Sequence, residues 1–323
     1  MLMNKEPAED GLVGISIRGN QLRMAEVVLR SAQKYISKVA SSEIKVPFDF
    51  ADIRKRDNIA SITQEINKLY ELSGFESNKA SFSLDSNEVL IRKIPIDFPL
   101  ESTDLREHAL WEASQVMINP LEDYIVDFYV QNNNPNDEND RILILVAVRK
   151  IIIDYLKEIF ASTKLHLRGV DVDIFAAQRV VESTYDFSHD SKVTLIDIRD
   201  HNIQISVLFN GFFMEQAIEY GNGYPGDKGE RNDFLSRMIS KEMRRIILDN
   251  KLGKSVDDME EIFVYGDNVD EGMIEALVKA HDVNLHRVNP FEKITLEATP
   301  VDPDVTKHPE AFVASVGTAI KGL

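Results

Sequence analysis

The chain contains two stretches in which apolar and polar residues alternate on both sides of a short polar turn. Residues 12–29, LVGISIRGNQLRMAEVVL, are interrupted at Gly19–Asn20, a pair that favours a tight turn. Residues 194–208, TLIDIRDHNIQISVL, have RDHN as their turn. Because successive side chains of a strand point to opposite faces, the alternation predicts two half-buried β-hairpins.

Between and after the hairpins the spacing of apolar residues changes between the helical and the extended pattern, which predicts a mixed α/β chain. Segments with apolar residues three and four positions apart predict helices, and these are residues 59–75, 102–118, 150–165 and 174–184. Extended patterns predict strands in residues 79–96, 123–150 and 166–173. Trp111 and the other apolar residues of its helix are expected in the core, and YDFSHDSK, residues 185–192, is the best candidate linker.

The two hairpins match each other in phase. When GISIRGNQLRMAEV (14–27) is placed on LIDIRDHNIQISVL (195–208), Ser16 coincides with Asp197 and Arg18 with Arg199. This predicts an internal duplication; the alternative is that any two amphipathic hairpins look alike. A duplicated α/β domain that opens with a hairpin is the layout of the actin and sugar-kinase superfamily. There, two phosphate-binding hairpins face each other across a cleft.

Composition narrows the possible partners. Apolar residues make up 43% and charged residues 28% of the 323 residues, which is typical of a globular protein. The formal net charge of −17 argues against nucleic acid and anionic lipid, since each phosphate contact needs a cation. The absence of cysteine excludes disulfides, zinc thiolates and thiol catalysis.

No segment has the length of a membrane span. The longest apolar run, ILILVAV at 142–148, is far shorter than the roughly 20 residues that a spanning helix needs. The start, MLMNKEPAEDG, has no apolar core of a signal peptide, so we expect none. We therefore expect a cytoplasmic protein without direct membrane insertion, one that a partner can still attach to a membrane.

Several blocks occur in an order that is similar to one known family. The blocks are LIRKIPIDFPL (90–100), INPLEDYIVDFYV (118–130), VAVRK (146–150) with VDVDIFAAQR (170–179), and VNPFEKI (288–294). Their order resembles the PilM family of type IV pilus assembly proteins over most of residues 11–323. No single block is diagnostic.

The resemblance implies an actin-like (ribonuclease H-like) fold of two duplicated α/β domains, with a subdomain inserted in the first half as in the cell-division protein FtsA. On this basis we expect the first domain at 11–90 and 165–187, the inserted subdomain at 91–164, and the second domain at 191–323. Typical members of the family bind ATP and hold the cytoplasmic tail of a bitopic membrane protein, PilN.

The chain departs from the family where nucleotide would bind. The family has Asp-x-Gly in both hairpins and a Gly-Gly pair beside the adenosine. The corresponding positions of this chain are Ser16 and Arg18, Asp197 and Arg199, and Gly266 and Asp267. The segment between IEYG and IFVYGD, about half the length that the family uses, indicates a shortened second subdomain.

These departures weaken the expected nucleotide site. Glycine lets backbone N–H groups approach phosphate closely, whereas arginine places a long side chain there. Losing two or three hydrogen bonds of about 1.5–3 kcal/mol each would weaken binding by on the order of a hundredfold or more. We therefore expect no cofactor, with ATP and Mg²⁺ as the alternative. Arg18 and Arg199 have three possible roles: replacement phosphate ligands, partners of nearby carboxylates that fill the cleft, or solvent-exposed cations.

Three other motifs carry weaker signals. GNGYPG at 221–226 has dinucleotide-fingerprint spacing but follows a hairpin, so a loop is the better reading. Asp171 and Asp173 alternate on a strand and are expected to be structural rather than an acid–base pair. His281 and His286 do not share a helix face, so we expect no metal site.

The function expected from the resemblance is that of a scaffold in a type IV pilus or related secretion machine. It would bind the cytoplasmic tail of a PilN-like inner-membrane protein, lie peripheral to that membrane, and turn over no ATP; homo-oligomerisation is possible. The candidate docking residues are Ile91, Ile94, Pro95 and Phe98, and the alternative is that they are core. The competing functional class is an ATP-binding protein or ATPase with arginine-modified phosphate contacts.

Overall fold

The structure is a computed structural model that describes residues 10–53, 57–96, 102–134, 137–188, 190–209, 212–219, 228–297 and 303–322. The chain forms two compact units. Unit 1 consists of Met1–Val180, Phe291–Lys307 and Ala314–Leu323, and unit 2 of Val181–Pro290 and His308–Val313. Phe98 and the segment 221–226 lie outside the described residues.

Strands and helices are interspersed along the described parts of the chain. The strands are β1 (Asp10–Arg30), β2 (Gln33–Phe48), β3 (Lys79–Leu84), β4 (Val89–Ile96), β5 (Tyr124–Asn134), β6 (Asp137–Arg149), β7 (His166–Val172), β8 (Val193–Ile198), β9 (Asn202–Leu208), β10 (Phe212–Glu219), β11 (Glu261–Gly266), β12 (Asn284–Arg287) and β13 (Thr295–Leu296). The α-helices are α1 (Asp57–Leu72), α2 (Ser102–Val116), α3 (Lys150–Ala161), α4 (Asp173–Thr184), α5 (Lys228–Asp249), α6 (Glu271–Ala280), α7 (Pro303–Lys307) and α8 (Val313–Lys321).

The long extended segment β1 reverses on itself. A Cβ atom built on Gly11 would lie 3.2 Å from Cγ1 of Val28, although a straight strand would separate these residues by about 55 Å. Gly19 has a φ of +53°, which suits a turn that glycine adopts readily. β1 is therefore a hairpin with arms at 10–18 and 21–30, and the turn predicted at Gly19–Asn20 is confirmed.

The two main sheets have the same topology apart from β13, which pairs parallel with β2 at the edge of the sheet in unit 1. In unit 1 the second arm of β1 pairs antiparallel with β2 and the first arm pairs parallel with β3, which pairs parallel with β7. In unit 2 the order is β10-β9-β8-β11-β12, with the same directions at each step. The predicted duplication is therefore confirmed, and it places Ser16 and Asp197 near equivalent ends of the two central strands.

Helix α3 belongs to the main core of unit 1. Its buried residues Ile152, Leu156 and Ile159 share one hydrophobic cluster with the apolar side chains of the first sheet and α1. The sequence placed this helix in the inserted subdomain, up to residue 164. In the structure α3 packs against the main sheet, because its apolar face covers the strands. The inserted subdomain is therefore the segment Val89–Arg149.

The inserted subdomain is an antiparallel sheet of order β4-β6-β5 with α2 packed against one face. Ala109 and Ala113 of α2 are fully buried, and their small side chains let the helix approach Leu143 and Leu145 of β6. The expectation that Trp111 is buried was wrong: it is 58% exposed. The core-facing positions of α2 are taken by alanines, which leave no room for an indole.

The end of the chain returns to unit 1. A Cβ on Gly14 would lie 1.9 Å from the backbone oxygen of Ser315, and one on Gly317 would lie 2.1 Å from that of Ala176. Only glycine permits these contacts, so α8 lies directly on β1 and α4. The sequence assigned residues 191–323 to the second domain as one block, whereas the structure groups 314–323 with unit 1.

Unit 2 has a core of its own. Ile196 and Ile205 of the sheet pack with Ile239 of α5 and Met273 of α6 in one buried cluster. Of the helices in the part of the chain that the structure describes, none combines the length and the apolar character of a membrane span.

Candidate functional site

The turn that follows β8 carries a buried ion pair. All six residues of β8, VTLIDI, are buried, so the turn follows a strand that is covered on both faces. Nε of Arg199 donates to Oδ2 of Asp197 at 2.9 Å, and the two side chains are 7% and 0% exposed. The backbone N–H of Arg199 donates to the carbonyl of Asn202 at 3.0 Å and closes the turn.

The end of β11 fits closely against this pair. Tyr265 and Gly266 of β11 are in register with Asp197 and Ile198. Gly266 has a φ of +113°, and a Cβ there would lie 2.4 Å from Oδ1 of Asp197 and 2.5 Å from the backbone oxygen of Ile198. Glycine is thus required both by the backbone conformation and by the neighbouring atoms. Asp267 follows directly, so the structure brings all four predicted residues of this half together.

Asn268 and Asp200, which the sequence analysis did not single out, link the β8–β9 turn to the segment after β11. The backbone N–H of Asn268 donates to the carbonyl of Ile198 at 3.1 Å, and its side-chain amide donates to Oδ1 of Asp200. These bonds hold the β8–β9 turn against the segment after β11. A polar residue two positions after a predicted strand-end glycine was the only signal that pointed to Asn268.

The equivalent end of unit 1 also carries an ion pair, but between distant elements. Nη2 of Arg18 donates to Oδ2 of Asp173, the first residue of α4, at 3.1 Å. Oδ1 of Asp173 accepts the backbone N–H of Ser86 at 3.1 Å. Ser16 is buried on the central strand, where it is in register with Ser83 of β3. The sequence predicted the arginine but not its partner.

Asp171 and Asp173 have separate partners. Oδ2 of Asp171 accepts Nη1 of Arg179 at 2.9 Å, and Oδ1 accepts Nζ of Lys321 at 2.9 Å. Asp173 instead pairs with Arg18. Each carboxylate thus compensates a cation, as expected of structural residues.

Three roles were considered for Arg18 and Arg199, and in the structure both arginines pair with carboxylates. Such an arrangement does not fit a magnesium nucleotide. Asp197, which corresponds to the family's hairpin aspartate, pairs with the guanidinium of Arg199. The backbone N–H of Arg199, at the position of the family's glycine, is used inside the hairpin. No group of three metal-ligating carboxylates and histidines occurs within the described parts of the chain.

The histidines lie in separate hydrogen-bonded settings in unit 2. Nε2 of His281 lies 2.6 Å from Oγ of Ser240, and Nε2 of His286 lies 2.6 Å from Oε2 of Glu261. His281 and His286 therefore do not converge on a common point.

The predicted docking residues lie on β4, which is an edge of the small sheet. Ile94 packs into the cluster between that sheet and α2, in register with Leu143. Ile91 and Pro95 belong to the opposite face, where Ile91 is partly exposed and Pro95 exposed. The structure thus separates these residues: Ile94 is part of the small core, and Ile91 with Pro95 remains available for contact.

The opposite edge of the same sheet behaves differently. Tyr129 of β5 makes an edge-on contact with Phe175 of α4, with ring centroids 6.1 Å apart. Ile125, on the same face of β5, is 40% exposed. Among the described strands β4 and β5 each pair only with β6, so both are edge strands of this sheet, and the aromatic contact with α4 lies on the β5 side.

Comparison with known proteins agrees with this architecture. The model of the family described as type IV pilus assembly protein PilM matches residues 14–218, more than half of the chain. A solved PilM–PilN type IV pilus biogenesis complex is 18% identical, with 96% of this chain and 98% of that chain covered and a TM-score of 0.73.

Two further solved structures match over nearly the whole chain with lower scores. The cytoplasmic domain of EpsL, an inner-membrane component of the type II secretion system of Vibrio cholerae, is 10% identical, with 97% and 95% coverage and a TM-score of 0.46. A Bacteroides thetaiotaomicron protein with an actin-like ATPase fold is 13% identical, with 88% and 94% coverage and a TM-score of 0.44. The family model and the PilM–PilN structure carry the conclusion: the fold is actin-like, as expected, and the chain belongs to the PilM family of type IV pilus assembly proteins.

Proposed function

We propose that this protein is an actin-like scaffold of a type IV pilus or related secretion machine, that it binds the cytoplasmic tail of a PilN-like bitopic membrane protein, and that it does so without turning over ATP. It would lie in the cytoplasm, peripheral to the inner membrane. Membership of the PilM family supports the assembly role. The observation that carries the lack of turnover is the buried Arg199–Asp197 pair, because the guanidinium is bound to the carboxylate that corresponds to the family's hairpin aspartate.

The tail-binding surface that we propose is the outer edge of β4 with Ile91 and Pro95. An extended peptide that adds to a sheet edge gains backbone hydrogen bonds, and alternate side chains enter pockets on the sheet face. Pro95 has no N–H, so pairing would use the part of β4 that precedes it. The partly exposed Ile91 supplies apolar contact on the face that α2 does not cover.

The binding test compares the same substitution on the two edges of one sheet. Ile91→Asp introduces a charge on the proposed edge, and Ile125→Asp introduces it on the opposite edge. A labelled tail peptide of a PilN-like protein should bind at least about tenfold more weakly to Ile91→Asp, and within about twofold of the parent to Ile125→Asp. Equal affinities would exclude this edge. Ile94→Asp does not serve as a test, because Ile94 packs in the core beneath α2.

The nucleotide test is a melting curve with and without millimolar ATP and Mg²⁺. At a hundredfold excess over the dissociation constant, binding would stabilise the fold by about 2.7 kcal/mol and raise the melting temperature by about 5 °C or more. We expect a change below about 1 °C. A rise of several degrees would favour the alternative, an ATP-binding protein with arginine-modified phosphate contacts. Arg18→Gly and Arg199→Gly would then show whether these side chains are the ligands.

A further inference from the structure

Helix α5 presents a basic stripe on the face opposite its buried side chains. The inward face, with Ile239, belongs to the core of unit 2. Spacings of three and four residues place four exposed cations on the outward face, and these are Arg237, Lys241, Arg244 and Arg245. Phe234 and Leu248 lie at the two ends of this α5 stripe and are 42% and 52% exposed. At 1.5 Å per residue the stripe is about 21 Å long.

The chain neutralises the charges of the α5 stripe only in part. Nε of Arg245 lies 2.7 Å from Oε2 of Glu242, whereas Lys241 and Arg244 have no ion-pair partner among the described residues. In a chain with a formal net charge of −17, a stripe of four cations is an exception. The surface that would complement it is acidic and carries apolar side chains over a similar length.

Helix α2 presents a surface of that kind. Ala113 packs against the small sheet, and Asp104, Glu107 and Trp111 lie exposed on the far side of the helix. Ile118, two residues past the helix end, is 98% exposed. Asp104 and Glu107 make no ion pair within the parts of the chain that the structure describes. The α2 stripe thus combines two carboxylates with two exposed apolar side chains over fourteen positions, as many as the α5 stripe covers.

The two stripes are complementary in chemistry as well as in length. The carboxylates of the α2 stripe have the sign that the cations of the α5 stripe require, and both stripes carry apolar side chains. The ring of His108 stacks with that of Trp111, with centroids 6.3 Å apart, and the indole offers a cation–π surface to Lys241 or Arg244. Tryptophan and arginine are also the residue types most enriched where interfaces hold most of their binding energy.

We propose that the α5 stripe of one copy of this chain binds the α2 stripe of a second copy. The two surfaces differ, so the contact is heterologous, and each copy can use α5 towards one neighbour and α2 towards another. One helix pair buries less than about 1,200 Å², which is typical of weak association, so we expect a dissociation constant in the micromolar range. This self-association goes beyond the proposed function and involves neither ATP nor the outer edge of β4.

The test is sedimentation velocity of the full chain between about 5 and about 200 μM. The basic-stripe variant, Lys241→Glu with Arg244→Glu, gives a copy two acidic stripes. The acidic-stripe variant, Asp104→Lys with Glu107→Lys, gives a copy two basic stripes. A matched control, Lys157→Glu with Lys164→Glu, changes the net charge as the first variant does, but on exposed lysines elsewhere.

We expect the sedimentation coefficient of the parent protein to rise with concentration. Each stripe variant alone should self-associate at least about tenfold more weakly, because its two stripes carry like charges. An equimolar mixture of the two variants should regain association to within about threefold of the parent, since each again meets an opposite charge. The control should behave as the parent, and Trp111→Ala should weaken association about tenfold without a charge change.

Several outcomes would overturn the proposal: a parent that stays monomeric over the whole range, a stripe variant that associates as the parent does, or a mixture that stays monomeric. A monomeric parent that binds an oligoglutamate peptide through α5 would assign this face to a foreign acidic partner, which also contradicts self-association. The substituted side chains are exposed, so all variants should melt within about 2 °C of the parent. If a double substitution disturbs folding, Lys241→Glu and Glu107→Lys alone give the same comparison.

Discussion

The two strand-end hairpins occupy equivalent places in the duplicated fold but bind their arginines differently. In unit 1 Arg18 reaches Asp173, 155 residues further along the chain, and is 14% exposed. In unit 2 Arg199 reaches Asp197, two residues away, and both are nearly inaccessible. The first pair ties two elements together, whereas the second satisfies a single turn. Equivalent positions in a duplicated fold can therefore meet the same electrostatic requirement by long-range or by local pairing.

The largest difference between the two halves is expected at their glycines. Gly266→Ala should destabilise by about 4 kcal/mol or more, because the new Cβ meets a buried carboxylate and a backbone oxygen at a strained φ. Gly19→Ala should cost only about 1–2 kcal/mol, since its φ is also positive but no atom lies within 4 Å of the new Cβ. Urea unfolding of both variants measures the difference, and equal losses would mean that the two turns are equally constrained.

Replacing the arginines should also destabilise unit 2 more than unit 1. Arg199→Ala leaves a buried carboxylate without its guanidinium and is expected to destabilise by about 3 kcal/mol. Arg18→Ala should cost less, about 2 kcal/mol, because Arg18 is more exposed and the buried Asp173 keeps the N–H of Ser86. The same urea series tests this, with Lys157→Ala on the exposed surface as a control expected to be nearly neutral. A larger loss for Arg18→Ala would reverse the comparison.

The smallest effects concern acid titration, where the two units contain carboxyl groups shifted in opposite directions. In unit 1, burial, reinforced by Asp85, raises the pKa of Glu88. The ionised form is therefore disfavoured on folding, and stability is gained as the pH falls through the folded-state pKa. In unit 2, backbone N–H groups of Lys254 and Ser255 lower the pKa of Asp258, so its contribution is present at neutral pH and is lost on acidification.

Glu88→Gln should consequently melt above the parent at neutral pH, and Asp258→Asn below it. The Glu88 difference should shrink as the pH falls through the raised pKa of that carboxyl group, whereas the Asp258 difference should shrink only below about 4, as the pH falls through its lowered pKa. Melting curves across this range provide the measurement. Differences that grow on acidification would show that the signs are reversed.

Much of the fold could be predicted from the sequence because its signals are local. The turn at Gly19–Asn20 and the phase match between residues 14–27 and 195–208 are visible in the alternation of apolar and polar residues, and the sheets confirm both. The PilM resemblance, read from ordered blocks, is confirmed by the family match. Such features depend on residues close together in the chain, so a linear pattern contains them.

Two of the errors concern the side of a helix that is buried. Trp111 was placed in the core because its helix is amphipathic, but Ala109 and Ala113 take the inward positions. Helix α3 was assigned to the inserted subdomain by its position in the chain, although its apolar face covers the main sheet. A helix period shows that a buried face exists but not which surface buries it.

What the sequence by itself determined is the set of elements, their duplication, the family, and the presence of an arginine at each strand-end turn. Only the tertiary structure decided the partners. Arg18 pairs with Asp173 because the end of β7 and the start of α4 lie beside the first hairpin. Arg199 pairs with Asp197 in a space that exists because Gly266, at the end of β11, has no Cβ to collide with the carboxylate. The reason is physical: periodicity and turn preference act over a few residues, whereas ion pairing and packing depend on distances that folding alone sets.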